Sequence, residues 1–305
     1  MLNLKPNLND DPHQTNSRIV CLEEITSLPL RFDAELYRHY PGMKLGQWQQ
    51  IDFFSKKLSY LVTHILRQDA DKDTGNPAGD WVITAPAFYH LPSAANLLAR
   101  RVHALLQLQG FSLSLLEPRL NQQQVAVSSQ YDFNLTNNYS KSQLAQRVRQ
   151  RQKVQDLVEN DDQLKQFSQR KVITINDIYV TGTQQYFMQK ALDTVAVKDC
   201  HWLYIFKLEN GLARRHPEIE FDINNHGVND IKSFAAILND EQTTHTTRCL
   251  SRLFAESMDN FYQLISLLEP EAKARIFSQA QAEVRYLNSI FEEQMQLLAG
   301  DYQHH

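Results

Sequence analysis

The chain has 305 residues, of which 42% are hydrophobic, so it can bury the core of one large domain or of two smaller ones. Its formal net charge of −4 argues against a nucleic-acid-binding surface over the whole chain. No stretch approaches the roughly 20 apolar residues of a membrane span, and the polar N-terminus lacks the apolar segment of a secretory signal. The three cysteines, Cys21, Cys200 and Cys249, show neither metal-site spacing nor a disulfide framework, which favours a reducing cytoplasm.

The N-terminal part is predicted to hold a loose tail, a short strand and a long helix. About the first 15 residues are expected to be the tail, and Ile19 to Leu22 the strand. Pro41 and Gly42 predict a turn shortly before Lys44. The helix is indicated by apolar residues that recur every three or four positions. They are Trp48, Ile51, Phe54, Leu58, Leu61 and Ile65.

A buried strand is predicted from Trp81 to Ala85, and Pro86 ends it because proline cannot donate a hydrogen bond to a strand ladder. A helix is expected to begin near Ser93, which is a favourable N-cap residue. The loop between them presents backbone N–H groups next to a helix N-terminus, and that geometry favours an anion.

The next predicted strand is Phe111 to Leu116, and a Gln/Asn-rich loop or exposed hairpin follows over residues 121–138. A polar segment that contains Ser140 then leads into a basic helix that contains Arg147. A solvated basic helix face explains each of these residues.

The most informative stretch runs from Val172 to Lys190. An apolar strand ends at the polar pair Asn176 and Asp177, and a turn centred on Gly182 then opens into a helix. Such a turn leaves backbone N–H groups free at a helix N-terminus, where the helix dipole favours a phosphate. The polar pair then lies where the sugar hydroxyls of a phosphorylated ligand are expected, at the carboxyl end of a strand. An ordinary strand-to-helix turn without a ligand is the alternative.

One more buried strand is predicted from Trp202 to Phe206, so strands and helices alternate as in a parallel α/β sheet. Apolar and polar residues alternate from Ile219 to Ile223, as in an edge strand. From Asp230 the chain is predicted to be helical. Two apolar stripes, the first ending at Pro270, indicate a helical appendage that packs on the core or on a second subunit.

These motifs, in this order, resemble the type I phosphoribosyltransferases and in particular their ComF-like branch. The resemblance rests on Lys44 two residues before a glycine, the strand ending at Pro86, the polar segment with Ser140 and Arg147, and Asp177 followed by Thr181 and Gly182. It implies that this polar segment is a flap that closes as a mobile lid over a bound substrate, a role as compatible with its residues as a solvated helix face. Two positions depart from the family pattern: Asn176 replaces an acid and Gln184 replaces a hydroxyl residue.

The resemblance covers about Met43 to Phe206 and implies an α/β fold, a parallel sheet of the phosphoribosyltransferase type with helices on both faces. The apolar stripes beyond it add a C-terminal helical appendage. The division expected is an N-terminal tail and hood segment over 1–40, the α/β domain over 41–222 and a helical region over 223–305. Diverged members of this branch occur with bacterial stress and tellurium-resistance gene sets.

The resemblance implies transfer of ribose 5-phosphate from phosphoribosyl pyrophosphate to a nitrogenous, nucleobase-like acceptor, with release of pyrophosphate. Asp177 and Asn176 would be the catalytic pair that holds the ribose hydroxyls. Mg²⁺ would bridge the pyrophosphate oxygens and reach Asp177 only through substrate and water. The 5′-phosphate would bind the backbone amides of Thr181, Gly182, Thr183, Gln184 and Gln185. The remaining implied substrate-binding residues are Pro86, Ala87, Phe88, Tyr89 and His90 in the pyrophosphate loop, together with Lys44, Ser140 and Arg147.

Two other classes of function stay open. Because Asn176 removes one negative charge, the same fold could bind phosphoribosyl pyrophosphate or a nucleotide without catalysis, as a regulatory or scaffold protein. A pure interaction module would depend on the C-terminal helices, through which a homodimer is also compatible with the sequence. Neither a membrane nor a nucleic acid is an expected partner.

Overall fold

The computed structural model describes residues 17–70, 80–120, 162–216, 218–228, 230–287 and 289–300. The predicted tail before residue 17, the Gln/Asn-rich segment and the flap with Ser140 and Arg147 lie outside the described residues. Within the described part of the chain, no helix is both long enough and apolar enough to cross a membrane.

Six parallel strands form one sheet. They are β1 (Ser17–Ile25), β2 (Trp81–Thr84), β3 (Ser114–Leu115), β4 (Lys171–Ile175), β5 (Ile178–Tyr179) and β6 (Asp199–Leu208). Their order is β1-β6-β4-β2-β3, and β5 pairs with β6 beyond the end of β4. The four strands predicted after the long helix are neighbours in this sheet, as expected, and the N-terminal segment adds β1 as an edge strand.

Twelve α-helices are described. They are α1 (Glu35–Leu45), α2 (Trp48–Ala70), α3 (Ala94–Leu108), α4 (Asp162–Lys165), α5 (Thr183–Thr194), α6 (Asn210–Arg215), α7 (Ile219–Asn225), α8 (Ile231–Asn239), α9 (Thr247–Leu253), α10 (Met258–Ser266), α11 (Pro270–Ala282) and α12 (Glu292–Gly300). Two short 3-10 helical segments, Val284–Leu287 and Ser289–Phe291, connect the last two helices.

The central strands are buried on both faces, because successive side chains of a strand point to opposite sides. Ile173 and Ile175 of β4 join a core with α1, α2 and α3 on one face of the sheet. Val172 joins a second core with α5 on the other face. The fold is therefore α/β with helices on both faces of a parallel sheet, followed by a helical C-terminal region, as the sequence predicts.

Three local predictions are wrong. Pro41 and Gly42 lie inside α1 and make no turn, because Tyr37 and Tyr40 pack against Phe206 of β6 and that burial offsets the roughly 3 kcal/mol of an internal proline. The expected edge strand at Ile219 to Ile223 is helix α7, and these two isoleucines share its buried face four residues apart.

The third error concerns Pro270, which was expected to end a helix and instead begins α11. At the first position of a helix the missing N–H of proline has no intrahelical partner to lose. The apolar stripe before it belongs to two short helices, α9 and α10.

The C-terminal helices enclose a third apolar core that reaches into the α/β layer at two points. Leu45, at the end of α1, and Leu91, just before α3, are both buried among the residues of α8 to α12. The C-terminal region thus contacts the helix end that carries Lys44 and the loop that follows β2. The division of the chain at residues 41 and 223 stays a prediction.

Candidate functional site at the carboxyl ends of strands β4 and β2

A short break of two residues separates β4 from β5. The carbonyl oxygen of Asp177 accepts hydrogen bonds from the N–H groups of both Ile205 and Phe206, at 3.0 and 3.2 Å. β5 then continues the pairing with β6 in the register that β4 began. The break places Asn176 and Asp177 directly after the carboxyl end of β4.

Both polar side chains of this break are held by hydrogen bonds. Asp177 forms an ion pair with Lys44 through Oδ2, and its Oδ1 accepts a hydrogen bond from Ile178 N–H at 2.9 Å. Asn176 accepts from the Asp177 N–H at 2.9 Å and donates through Nδ2 to Gln184 Oε1 at 3.2 Å. Lys44 and the motif residues are therefore brought together, although more than a hundred residues separate them in the sequence.

The turn before α5 has the features of a phosphate cradle. Gly182 is the N-cap residue in the left-handed conformation, with φ 71°, and no side chain caps the helix. No described residue accepts a hydrogen bond from the amides of Gly182, Thr183, Gln184 and Gln185. The hydroxyl groups of Thr181 and Thr183 lie 2.9 Å apart at the mouth of this turn. Four free amides and the positive end of a helix dipole are a site that an anion would fill.

Tyr179 explains why position 182 admits only glycine. A Cβ atom on Gly182 would lie 2.5 Å from the Tyr179 hydroxyl oxygen, and the positive φ already disfavours any other residue. A side chain at this position would therefore strain the turn and crowd the free amides.

Charged residues from three helices surround Asp177. Burial raises the pKa of Tyr40 on α1 well above its usual value, and the negative charges of Asp177 and Glu220 raise it further, so the phenol stays protonated. Burial lowers the pKa of Arg248 on α9, although the charges of Glu220 and Asp177 oppose this shift. The sequence analysis missed Tyr40, Glu220 and Arg248, because they lie outside every motif and meet Asp177 only through the fold.

The C-terminal region also fixes the end of α1. The Thr246 hydroxyl donates to the Lys44 carbonyl oxygen at 2.7 Å, and Thr244 N–H donates to the Gly46 carbonyl oxygen at 3.1 Å. Gly46 ends the helix with φ 95°. The backbone that carries Lys44 is therefore held from the C-terminal side, and so is the side chain that reaches Asp177.

The loop after β2 is held by hydrogen bonds within the chain. Ser93 and Asn96 form the capping box of α3, and Asn96 Nδ2 donates to the Pro86 carbonyl oxygen at 3.0 Å. Phe88 N–H donates to the Pro118 carbonyl oxygen at 3.3 Å. Internal partners thus hold Pro86 and Phe88, while the assignment of this loop to pyrophosphate stays a prediction.

Glu283, which follows α11, accepts hydrogen bonds from two more backbone amides at the end of this loop. Its Oε1 accepts from His90 N–H at 3.2 Å and from Leu91 N–H at 2.7 Å, and its side chain is 1% exposed. Arg285 Nε lies 3.2 Å from the other carboxylate oxygen. The loop geometry does bind an anion, but here the anion is a carboxylate of the same chain.

Comparison with known families now decides the assignment. Residues 90–298 match the family described as PRTase ComF-like, where PRTase stands for phosphoribosyltransferase. The chain belongs to this family. The match covers more than half of the chain and includes the C-terminal helices, which the resemblance seen in the sequence did not cover. Searches of curated proteins and of solved structures returned no match.

Proposed function

We propose that this ComF-like protein is a phosphoribosyltransferase that transfers ribose 5-phosphate from phosphoribosyl pyrophosphate to a nitrogenous base in the cytoplasm. The observation that carries the proposal is the set of free amides at the start of α5, shortly after the pair Asn176 and Asp177 at the end of β4. A phosphate group and ribose hydroxyls are the two chemical groups that such a pair of neighbouring features recognises.

The amides of residues 181–185 would hold the 5′-phosphate. Asp177 and Asn176 would then face the ribose hydroxyls, the carboxylate as acceptor and the carboxamide as donor or acceptor. A ribosyl centre that loses pyrophosphate develops positive charge, so the site needs positioning and charge stabilisation more than a covalent nucleophile. Lys44 would offset part of the negative charge of Asp177 through their ion pair.

Magnesium fits this arrangement only as an ion shared with the substrate. Among the described residues, no group of three His, Cys, Asp or Glu side chains could hold a metal ion. Mg²⁺ accepts few protein ligands when it also has phosphate oxygens and water. Asp177 is the carboxylate that would face it, and the bound ion would neutralise charge on the departing pyrophosphate.

The test of the binding site is Gly182→Val, measured by calorimetry with ribose 5-phosphate. The new side chain would crowd the free amides and Tyr179, so binding should be lost. Gly227→Val is the matched control, because Gly227 has a similar φ of 73° and no atom lies within 4 Å of its Cβ position. Equal binding by the two variants would show that the amides of α5 do not hold the phosphate.

A non-catalytic binding protein of the same fold is the second candidate. Asn176 carries no charge and Lys44 neutralises Asp177, so the pair offers no net negative charge to a Mg²⁺-bound substrate. Pyrophosphate release over a broad panel of acceptor bases, with and without Mg²⁺, separates the two functions. Binding without any release would favour a regulatory role. Self-association through the C-terminal helices also stays a prediction, and analytical ultracentrifugation would test it.

A further inference from the structure

We infer that Arg248 of α9 binds the pyrophosphate group of phosphoribosyl pyrophosphate, together with Lys44. This inference rests on the proposed function and adds a residue of the C-terminal helices to its site. Arg248 is half-buried, and no described residue accepts a hydrogen bond from its guanidinium. A guanidinium has five N–H donors in a planar fork that matches phosphate oxygens.

The position of Arg248 follows from the contacts of the loop before it. Thr246, two residues earlier, hydrogen-bonds the Lys44 carbonyl oxygen, and Gly46 packs against Thr244. The Arg248 charge is close enough to Asp177 and Tyr40 for each to affect its pKa. Lys44 from α1 pairs with Asp177, and Arg248 from α9 lies within electrostatic reach of the same carboxylate.

The geometry of the substrate selects pyrophosphate as the group that meets these cations. The 5′-phosphate and the pyrophosphate sit at opposite ends of the ribose ring. If the 5′-phosphate lies on the amides of α5 and Asp177 holds the ribose, the pyrophosphate extends away from α5. The helices that contribute charged side chains there are α1, α7 and α9, and Lys44 and Arg248 are their cations near Asp177.

The loop after β2 is the competing place for pyrophosphate, and three of its amides already have acceptors within the chain. Glu283 accepts from His90 and Leu91, and Pro118 accepts from Phe88. Displacing a carboxylate that is 1% exposed would leave it buried without its amide partners, a costly change. Arg248 needs no such displacement, and Lys44 has two further N–H donors besides the one that meets Asp177.

The decisive comparison is between two ligands that differ only in pyrophosphate. Calorimetry would measure phosphoribosyl pyrophosphate and ribose 5-phosphate binding to the full chain and to Arg248→Met. We expect the affinity for phosphoribosyl pyrophosphate to fall roughly 10- to 100-fold, as for one lost charged hydrogen bond, while ribose 5-phosphate binds as before. Inorganic pyrophosphate should also compete less well against the variant.

Arg248 could instead serve only to neutralise Glu220. The double variant Arg248→Met with Glu220→Gln removes both charges, so it should fold even if the single variant does not, and it should still fail to prefer phosphoribosyl pyrophosphate. Arg252→Met is the matched control, because Arg252 lies one turn further along α9 and donates to the Val228 carbonyl oxygen. It should keep the wild-type ratio of the two affinities.

The outcomes separate the two proposals. The role of Arg248 would be overturned if its variants lost affinity equally for both ligands or lost affinity for neither. The proposed function would still stand. A wild-type protein that binds neither ligand would overturn both.

Discussion

Replacing Gly46 by alanine tests whether the C-terminal region positions Lys44. The Cβ atom of an alanine at this position would lie 1.8 Å from the Thr244 carbonyl oxygen, which is a backbone atom and cannot rotate away. The loop that contains Thr244 would have to move off the end of α1. That movement would break the Thr246 hydrogen bond to the Lys44 carbonyl oxygen and shift the lysine relative to Asp177.

The magnitude has two parts. A residue with a Cβ atom in the left-handed region costs about 1–2 kcal/mol, and relief of a clash in a packed region costs about 1–3 kcal/mol more. Gly110→Ala isolates the first part, because Gly110 has φ 86° and no atom lies within 4 Å of its Cβ position. The two variants should therefore differ by about 1–3 kcal/mol in the free energy of unfolding, and both should lose stability.

Urea unfolding of both variants, followed by calorimetry with phosphoribosyl pyrophosphate, makes the comparison. Gly46→Ala should unfold at the lower urea concentration and should bind the ligand more weakly, whereas Gly110→Ala should bind it like the wild type. If the two variants unfold at the same urea concentration and bind the ligand equally well, the contacts of Thr244 and Thr246 with the end of α1 do not set the position of Lys44.

Three further predictions concern other groups. Glu283→Gln should lower the free energy of unfolding by about 1–2 kcal/mol, because a charged acceptor becomes neutral. It should leave the affinity for phosphoribosyl pyrophosphate unchanged. A rise in that affinity would instead place the pyrophosphate on the loop after β2. Burial lowers the pKa of His245 below 6.5, so the unfolded state binds its proton more readily. Stability should thus fall as the pH drops below about 6.5, by at most about 1.4 kcal/mol per pH unit, and His245→Gln should flatten that slope in urea titrations at pH 5 to 7. Asn176→Asp should strengthen the Mg²⁺ dependence of ligand binding measured by calorimetry, and an unchanged dependence would mean that this position does not face the metal-bound substrate.

Local patterns predicted most of the α/β layer. The apolar run of Val172 to Ile175 indicated a strand buried on both faces, and hydrophobic spacing from Trp48 indicated α2, because both signals depend on neighbouring residues alone. Ser93 was also predicted as an N-cap, since its hydroxyl accepts from the N–H only three residues away. The match to the ComF-like family agrees with the family that these motifs resemble.

The errors arose where tertiary contacts override local preference. Local preference predicts that Pro41 ends a helix. The helix continues through it, because the aromatic residues of α1 are buried against the sheet. Ile219 and Ile223 fit both a strand and a helix, since residues four apart share a face in either. Arg248 had no sequence signal, because its site exists only after the C-terminal loop docks on α1.

The two departures from the family motif are joined in the structure. Asn176, in place of an acid, donates a hydrogen bond to Gln184, which stands in place of a hydroxyl residue. A carboxylate at 176 could not make that donation, and a short hydroxyl side chain at 184 would not offer the same reach to the amide. The substitutions therefore form one altered unit that links the end of β4 to the first turn of α5. Because Asn176 also accepts from the Asp177 N–H, the unit holds the remaining acid in place while removing one negative charge. An enzyme built this way would depend more on the cations around Asp177 for its hold on pyrophosphate, and less on a metal ion held by two carboxylates.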